Sequence, residues 1–330
     1  MLRKLLCACL LVAVVLPADA APQKPYRITM VLFRGCEDAC KGFADYFAAR
    51  KIPVEIELLD AATDARKLPG FVAQVKADKP DLLVTWGTTV ALAMLGAHDA
   101  VDARAHVTDI PALFMIASTP VGSKLVPNLT SSGRNISGTR YLVSVETQLR
   151  AAKMYVPFKR IGFLFNPAED NSIVTRAELT AAGAKAGFEV IERLVPHTVA
   201  GVPDKSSLPR LVNELADSKV DLLYLSPDTF LLLNREAVTG TALRRNLPVL
   251  ASSEVPVRDS NALLGVVNRY YTIGQLTASQ AERILADGIA PRQIPIEAPP
   301  NFSLIVNMRV ASDMKLYPPM RVLKIAEVVR

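Results

Sequence analysis

What most constrains the fold of this chain is a regular alternation of short apolar runs with longer amphipathic ones, begun near residue 26 and begun again near residue 145. Tyr26 to Phe33 alternates and is rich in β-formers; after Arg34 and Gly35 the pattern turns helical from Glu37 to Ala49. Ile52 to Leu59 reads as a second strand, with Pro53 near its beginning, where a missing N–H does little harm. Leu68 to Lys79 reads as the partner helix, closed by Pro80. Asp81 to Trp86 is a short apolar run of the kind buried on both faces, and Gly87, Thr88 and Thr89 lead into a helix over Val90 to Ala97. Ala112 to Ala117 is a fourth strand. Strands alternating with helices build a parallel sheet covered on both faces.

The second run predicts a helix over Val145 to Tyr155, a strand over Arg160 to Phe165, a helix over Ser172 to Ala186 and a strand over Phe188 to Leu194. Helix Ser207 to Ala216, strand Asp221 to Leu225, helix Thr229 to Arg245 and strand Pro248 to Ala251 complete it. Ala262 to Val267 follows, then a strong helix over Ile273 to Ala286, the stretch Ile294 to Pro300, a strand at Leu304 to Val306 and a short helix. The fold class is therefore α/β, with two Rossmann-like lobes. Their junction falls near Gly138 to Ser144, where Thr139, Arg140 and Tyr141 look extended. No low-complexity linker separates the runs, so the lobes are expected to be joined by a multi-strand hinge. The expected division is 21–139 with 271–300 in one lobe and 140–270 with 301–330 in the other.

Arg3 and Lys4 precede an apolar run from Leu5 to Leu16, followed by Pro17 and the small-residue series Ala18, Asp19, Ala20. This is the pattern of a secretory signal peptide cleaved near Ala20, and the run is too short for the roughly 20 residues that a membrane-spanning helix needs. Cys7 and Cys9 lie too early in the run to be a lipidation site, so an unlipidated periplasmic protein is expected. The net charge of +6 falls to +4 without Arg3 and Lys4 and is spread along the chain. With no basic run interleaved with aromatics, nucleic acid is not an expected partner.

Cys36 and Cys40 remain in the mature chain, which matures where disulfides persist. Residues four apart in a helix are about 6 Å from each other, within disulfide reach, so a short structural bridge is the expectation. Free thiols, or redox or metal chemistry, are the alternatives. A redox centre more often reads C-x-x-C, and His98, His106 and His197 offer no obvious zinc set.

In open α/β sheets ligands bind beyond the carboxyl ends of the strands. Those loops carry Arg34 to Cys36, Trp86 to Thr89 and Ser118 to Val121 in the first run, and Asn166 to Ser172, Ser226 to Thr229 and Ser252 to Pro256 in the second. Small hydroxyl residues and helix N-termini favour an anion, which makes Gly87, Thr88, Thr89, Ser118 and Thr119 a candidate carboxylate cradle. Thr88 and Ser118 also suit ordinary helix caps. Asp228 and Glu169 are candidates to neutralise an ammonium, or else complement helix dipoles. Asn166, Ser172 and Ser253 complete the candidate ligand set. Trp86, the only tryptophan, either walls an apolar ligand or packs in the core, and Tyr141, Tyr270 and Tyr271 stand at lobe crossings. No G-x-S-x-G elbow, H-E-x-x-H pair or P-loop points to an enzyme.

The segments Ile110-Pro111-Ala112-Leu113-Phe114, Ser118-Thr119-Pro120-Val121-Gly122, Asn135-Ile136-Ser137-Gly138-Thr139 and Asn166-Pro167-Ala168-Glu169-Asp170-Asn171-Ser172 resemble the ABC transporter substrate-binding proteins of tryptophan/tyrosine-type uptake systems. Gly265-Val266-Val267, Ile294-Pro295-Ile296-Glu297, Asn307 and Pro318-Pro319 agree. The resemblance implies a type I periplasmic-binding-protein fold with three crossings and a ligand closed between the lobes. It also implies no cofactor, and a membrane permease with a cytoplasmic ATPase as partners; some members of the family bind aromatic or other hydrophobic amino acids, and a small organic ligand of that kind and a monomeric chain are expected here. The alternative reading is a sensory protein that docks on a membrane receptor or histidine kinase. Cys36 and Cys40 are not general to the family.

Overall fold

The computed structural model describes residues 24–330; the signal-peptide reading of residues 1–20 lies outside them. The first half of the chain runs β1 (Tyr26–Leu32), α1 (Asp38–Arg50), β2 (Val54–Asp60), α2 (Leu68–Asp78), β3 (Leu82–Trp86), α3 (Thr88–Leu95), β4 (Ala112–Ala117) and β5 (Ile136–Arg140). These strands form one parallel sheet in the order β2-β1-β3-β4-β5. Every residue of β3 and β4 is buried, as continuous apolar runs at the centre of a two-faced parallel sheet require. At the edge, β2 has no fully buried residue, and Glu55, Glu57 and Asp60 are exposed along it, which discourages pairing with another chain.

The second half runs α4 (Val145–Lys153), β6 (Arg160–Phe165), α5 (Asp170–Ala186), β7 (Glu189–Leu194), α6 (Leu208–Asp217), β8 (Leu222–Leu225), α7 (Thr229–Leu233), α8 (Arg235–Arg244), β9 (Val249–Ala251), α9 (Val255–Arg258) and β10 (Leu264–Val267). Then come α10 (Tyr270–Leu285), β11 (Ser303–Asn307), α11 (Met308–Asp313), α12 (Met320–Leu323) and β12 (Ala326–Val329). The second sheet has the order β12-β11-β10-β9-β8-β6-β7. Its strands are parallel except that β11, with β12 alongside it, runs against β10.

Three departures from the sequence reading have physical causes. The helix expected over Thr229 to Arg245 is broken at Asn234, whose side-chain amide donates to the Phe230 carbonyl at 2.9 Å and competes with the helical ladder. The stretch 294–300, given no element from sequence, runs beside β5: the Ser137 hydroxyl donates to the Ile294 carbonyl at 2.8 Å, and a parallel bridge joins Thr139 to Glu297. β12 and the one-turn α9 lacked any periodic signal.

Chain order and sheet membership make the chain pass three times between the sheets among the described residues: after β5, between β10 and α10, and before β11. The passages are bonded to one another. Asn268 donates to the Tyr141 carbonyl at 2.7 Å, and the Arg140 N–H donates to the Glu297 carbonyl at 2.9 Å. Thr139 and Thr277 share a hydroxyl hydrogen bond of 2.8 Å. Buried Glu254 accepts the Tyr270 N–H at 2.7 Å and pairs with Arg258 and Arg269, both of which also pair with Glu327 of β12.

α10 packs on α1 in the first lobe at unusually close range. A Cβ on Gly274 would fall onto the carbonyl oxygen of Ala39, and one on Gly42 onto that of Tyr271. Backbone cannot yield as a flexible side chain does, so Gly274→Val is expected to cost about 1–3 kcal/mol in denaturant unfolding. Gly70 of α2 has open space around it, so Gly70→Ala should stabilise by about 0.5 kcal/mol. Equal effects at the two positions would contradict the close packing.

Candidate functional site

Both sheets reverse their strand order at one point, between β1 and β3 in the first and between β6 and β8 in the second. Loops on either side of such a switch point diverge and leave a crevice. The first crevice is flanked by Arg34, after β1, and by Trp86 to Thr88, after β3. The second is flanked by Asn166 to Ser172, after β6, and by Ser226 to Thr229, after β8. The two crevices face each other: the positive charge of Arg34 reaches Glu169 across the gap, and a Cβ on Gly122 would press on Val174 of α5.

The first wall is rich in donors. The Arg34 guanidinium lies 4.8 Å above the Trp86 ring and is held by both carboxylate oxygens of Glu37, at 3.0 and 3.3 Å. Burial opposes its charge, yet the Tyr270 hydroxyl and Glu37 offset this and its pKa rises above the ordinary guanidinium value. Trp86 is buried, stands edge-on to Tyr270, and its Nε1 has no partner among the described residues. Tyr141 also stands edge-on to Tyr270; burial pushes its hydroxyl up to about 12, against the opposing effect of the Ser118 side chain and the Arg34 charge. The first-turn N–H groups of α3 have no intrahelical partner, and no side chain caps them.

The opposite wall is rich in acceptors. Glu169 does not cap its own helix; it accepts the Thr229 and Phe230 N–H groups of α7, at 2.9 and 3.0 Å. Burial raises its pKa despite those two donors. Asp228 is fully buried, and its Oδ1 caps α7 by accepting the Leu231 N–H at 2.8 Å. Its Oδ2 has no partner among the described residues. Burial first, and then the neighbouring Glu169 charge, push the Asp228 pKa well above the usual carboxylate range, against the opposing pull of the Leu231 and Phe230 N–H groups and the Asn166 side chain. Asn166 Nδ2, Asn171 Oδ1, and the hydroxyls of Ser226, Ser252 and Ser253 are also buried without partners.

The candidate residues therefore separate. Trp86, Thr88, Ser118, Thr119, Asn166, Glu169, Ser172, Asp228 and Ser253 stand at the facing strand ends. Thr88 is not a cap; its hydroxyl accepts the Ser118 N–H at 3.3 Å. Ser172 fixes the Asn166 loop by accepting the Asn166 N–H at 2.9 Å. Thr119 contributes a buried, unpartnered hydroxyl. Two members of the expected cradle fare differently: Thr89 is exposed, and the Gly87 N–H is already given to the Met115 carbonyl at 2.9 Å. Tyr271 bonds Asp45 on α1, away from the cleft. Arg34, Glu37, Asn171 and Ser226 were not chosen from sequence, although the strand-end rule that found Trp86 covers Arg34 equally. Cys36 and Cys40 form a disulfide.

A cavity of about 180 Å³ continues from Ser118 and Thr119 to Arg140, Leu142 and Ser144 of the first crossing, with Glu178 of α5 on its wall. A larger hollow of about 310 Å³ lies between α4 and α5, lined by Leu149, Phe158, Ala182 and Phe188, at the amino ends of β6 and β7 and so remote from the cleft.

Residues 33–330 match the family model of the ABC transporter substrate binding protein. The chain belongs to that family. Proteins of this family take up a small-molecule ligand outside the cytoplasm and deliver it to an ABC permease. A tyrosine-binding protein of Clostridioides difficile (strain R20291) is 26% identical over 255 residues, 77% of this chain and 68% of that protein. An ABC domain from Streptococcus pneumonia, solved in complex with L-Trp, superposes with a TM-score of 0.78 at 24% identity, covering 93% of this chain and 100% of that one. A conserved domain protein of Vibrio cholerae gives a TM-score of 0.80 at 23% identity with the same coverage. Among the described residues no helix is long and apolar enough to cross a membrane.

The isolated Asp228 oxygen has a measurable consequence. The folded protein holds the Asp228 proton more tightly than the unfolded chain does. That stabilisation is full below the ordinary carboxylate pKa of about 3.9 and is lost as pH rises through the folded pKa. Asp228→Asn keeps a good cap on α7 and removes the titration. The variant should melt close to wild type at pH 4 and about 2 °C or more above it at pH 8. A lower melting temperature at pH 8 would show that the charge is compensated.

Proposed function

We propose that the protein closes on a zwitterionic amino acid with an aromatic or other hydrophobic side chain, the carboxylate against the first lobe and the ammonium against Asp228 and Glu169. One observation carries this reading: the unpartnered donors around Trp86 face a wall that holds an unpartnered, fully buried carboxylate oxygen on Asp228. A buried ion without a partner is costly, and an ammonium beside Asp228 supplies the missing charge. The rings of Trp86, Tyr141 and Tyr270 give the cleft an aromatic flank. Tyrosine and tryptophan, the ligands for which two similar proteins are named or solved, are zwitterions of this class.

On this reading the protein is an unlipidated periplasmic monomer, cleaved near Ala20, that binds neither cofactor nor nucleic acid and performs no chemical step. Its ligand set is Trp86, Thr88, Ser118, Thr119, Asn166, Glu169, Ser172, Asp228 and Ser253, joined by Arg34. The lobes, divided as 21–139 with 271–300 and 140–270 with 301–330, close about the three crossings, and the closed form docks on the permease.

Thermal unfolding of refolded, ligand-free protein tests the reading. L-tyrosine or L-tryptophan at 100 times its Kd should add about 2.7 kcal/mol to stability. Tyramine, which lacks the carboxylate, and 3-(4-hydroxyphenyl)propionate, which lacks the ammonium, should each bind at least about tenfold more weakly, since a charge-assisted hydrogen bond contributes about 1.5–3 kcal/mol. Asp228→Asn should weaken L-tyrosine by about 2 kcal/mol or more. No response to any amino acid would overturn the ligand assignment and leave the family intact.

Binding should also release a proton. A ligand ammonium favours the Asp228 carboxylate, so affinity rises as pH rises through the ligand-free pKa. Calorimetric titration in buffers of different ionisation enthalpy checks this; identical heats in all buffers would contradict it.

A further inference from the structure

The loop between β1 and α1 carries the one cation stacked on the cleft tryptophan, and nothing in its own backbone holds it in place. Among the described residues no hydrogen bond engages the main chain of Arg34, Gly35 or Cys36. Gly35 adopts a φ of 88°, a left-handed turn open to glycine, so the chain reverses there without support from a ladder. The loop is closed where it meets α1, by the Glu37 carbonyl accepting the Cys40 and Lys41 N–H groups at 2.9 and 3.4 Å, and by a covalent link across the unbonded residues. Cys36 is exposed, whereas Cys40 is buried in the first turn of α1, its sulfur 3.3 Å from that of Met30. The bridge ties the loop to that fixed point, with the two Cα atoms 5.4 Å apart.

Glu37 lies inside the resulting ring. It occupies the N-cap position of α1, yet its side chain caps nothing. Both of its oxygens go to Arg34 instead, binding Nε and Nη2. The Arg34 side chain is only 9% exposed, and a desolvated cation over an indole is a strong form of that contact. Nη1 donates to nothing among the described residues, and the Arg34 charge is felt by Glu169 on the opposite wall. Ring, carboxylate, guanidinium and tryptophan thus form one mechanical series that ends in the cleft.

We propose that the Cys36–Cys40 disulfide is a positioning element of the binding site: it fixes Glu37, which holds Arg34 over Trp86 and leaves Nη1 for the anionic group of the ligand. The last step rests on the zwitterion reading above; the positioning of Arg34 does not. Opening the bridge frees the loop, and Arg34 then spends part of its time away from the indole. Ligands with a carboxylate lose affinity, and ligands without one do not.

Because Trp86 is the only tryptophan, its fluorescence reports the stack without any ligand. Two preparations open the bridge: the Cys36→Ser, Cys40→Ser double variant, and folded wild type treated with a phosphine, where one water supplies the two thiol hydrogens and the oxygen of the phosphine oxide as the S–S bond breaks. Both should change the Trp86 emission and its quenching by acrylamide, Arg34→Ala should do likewise, and opening the bridge in the Arg34→Ala background should add nothing. Calorimetry with L-tyrosine should show about tenfold weaker binding by both opened forms, and tyramine should bind open and closed forms alike. An unchanged Trp86 spectrum with unchanged L-tyrosine affinity in the reduced, still folded protein would overturn the proposal. So would an equal loss for L-tyrosine and tyramine, which would mean a general loosening of the lobe. A Trp86 response in a protein that binds no L-tyrosine in any form would support the positioning series and count against the zwitterion reading instead.

Discussion

The cleft depends on the three chain crossings being bonded side by side. Asn268 to Tyr141, Arg140 to Glu297 and Thr139 to Thr277 lock the passages into one band, and the Glu254 cluster fastens that band to β10, β11 and β12 through Glu327. A single tether would leave two lobes free to twist. In the closure proposed above, three bonded passages oppose that twist, so the same loops meet each time. That is why the two switch-point crevices can act as halves of one site, although they belong to sheets with separate cores.

Once the halves meet, desolvation sets the chemistry. Water removed from the gap strengthens every remaining charge interaction and raises the cost of any charge left alone. Arg34 meets that cost inside its own lobe through Glu37 and Trp86. Glu169 does so through two backbone donors at the start of α7. Asp228 does so only in part, with one oxygen capped and one bare. The distribution is asymmetric in a useful way: the groups already satisfied shape the wall, and the group left short is the one a ligand can complete.

The sheet-and-helix order was legible from sequence because buried parallel strands write themselves as short apolar runs; β3, β4, β6 and β8 carry nearly the boundaries expected of them. The strand-end rule led to Trp86, Ser118, Glu169 and Asp228 for the same reason, since loop positions follow from strand ends. What was not legible depended on partners distant in sequence. β12 is four residues with a glutamate in the middle and becomes a strand only beside β11. The break at Asn234 turns on one side-chain amide. Arg34 stands in a strand-end loop by the same rule, but the stack that singles it out exists only once the fold brings Trp86 beneath it, and Thr89 reads like Thr88 until helix α3 turns one inward and the other to solvent.

The bare oxygen of Asp228 also bears on how closure is driven. A ligand shifts the balance between open and closed forms only by its difference in affinity for the two. In an open form water can hydrate Asp228, so the empty closed form carries a penalty that the open form escapes. A ligand ammonium removes that penalty in the closed form alone, which makes the difference in affinity large for cationic ends and small for ligands that merely fill space. Protonation of Asp228 lowers the same penalty without any ligand, so acid conditions favour empty closure and blunt the discrimination. On the proposed reading, the residue that selects the ligand is thereby also the residue that makes closure conditional on having one.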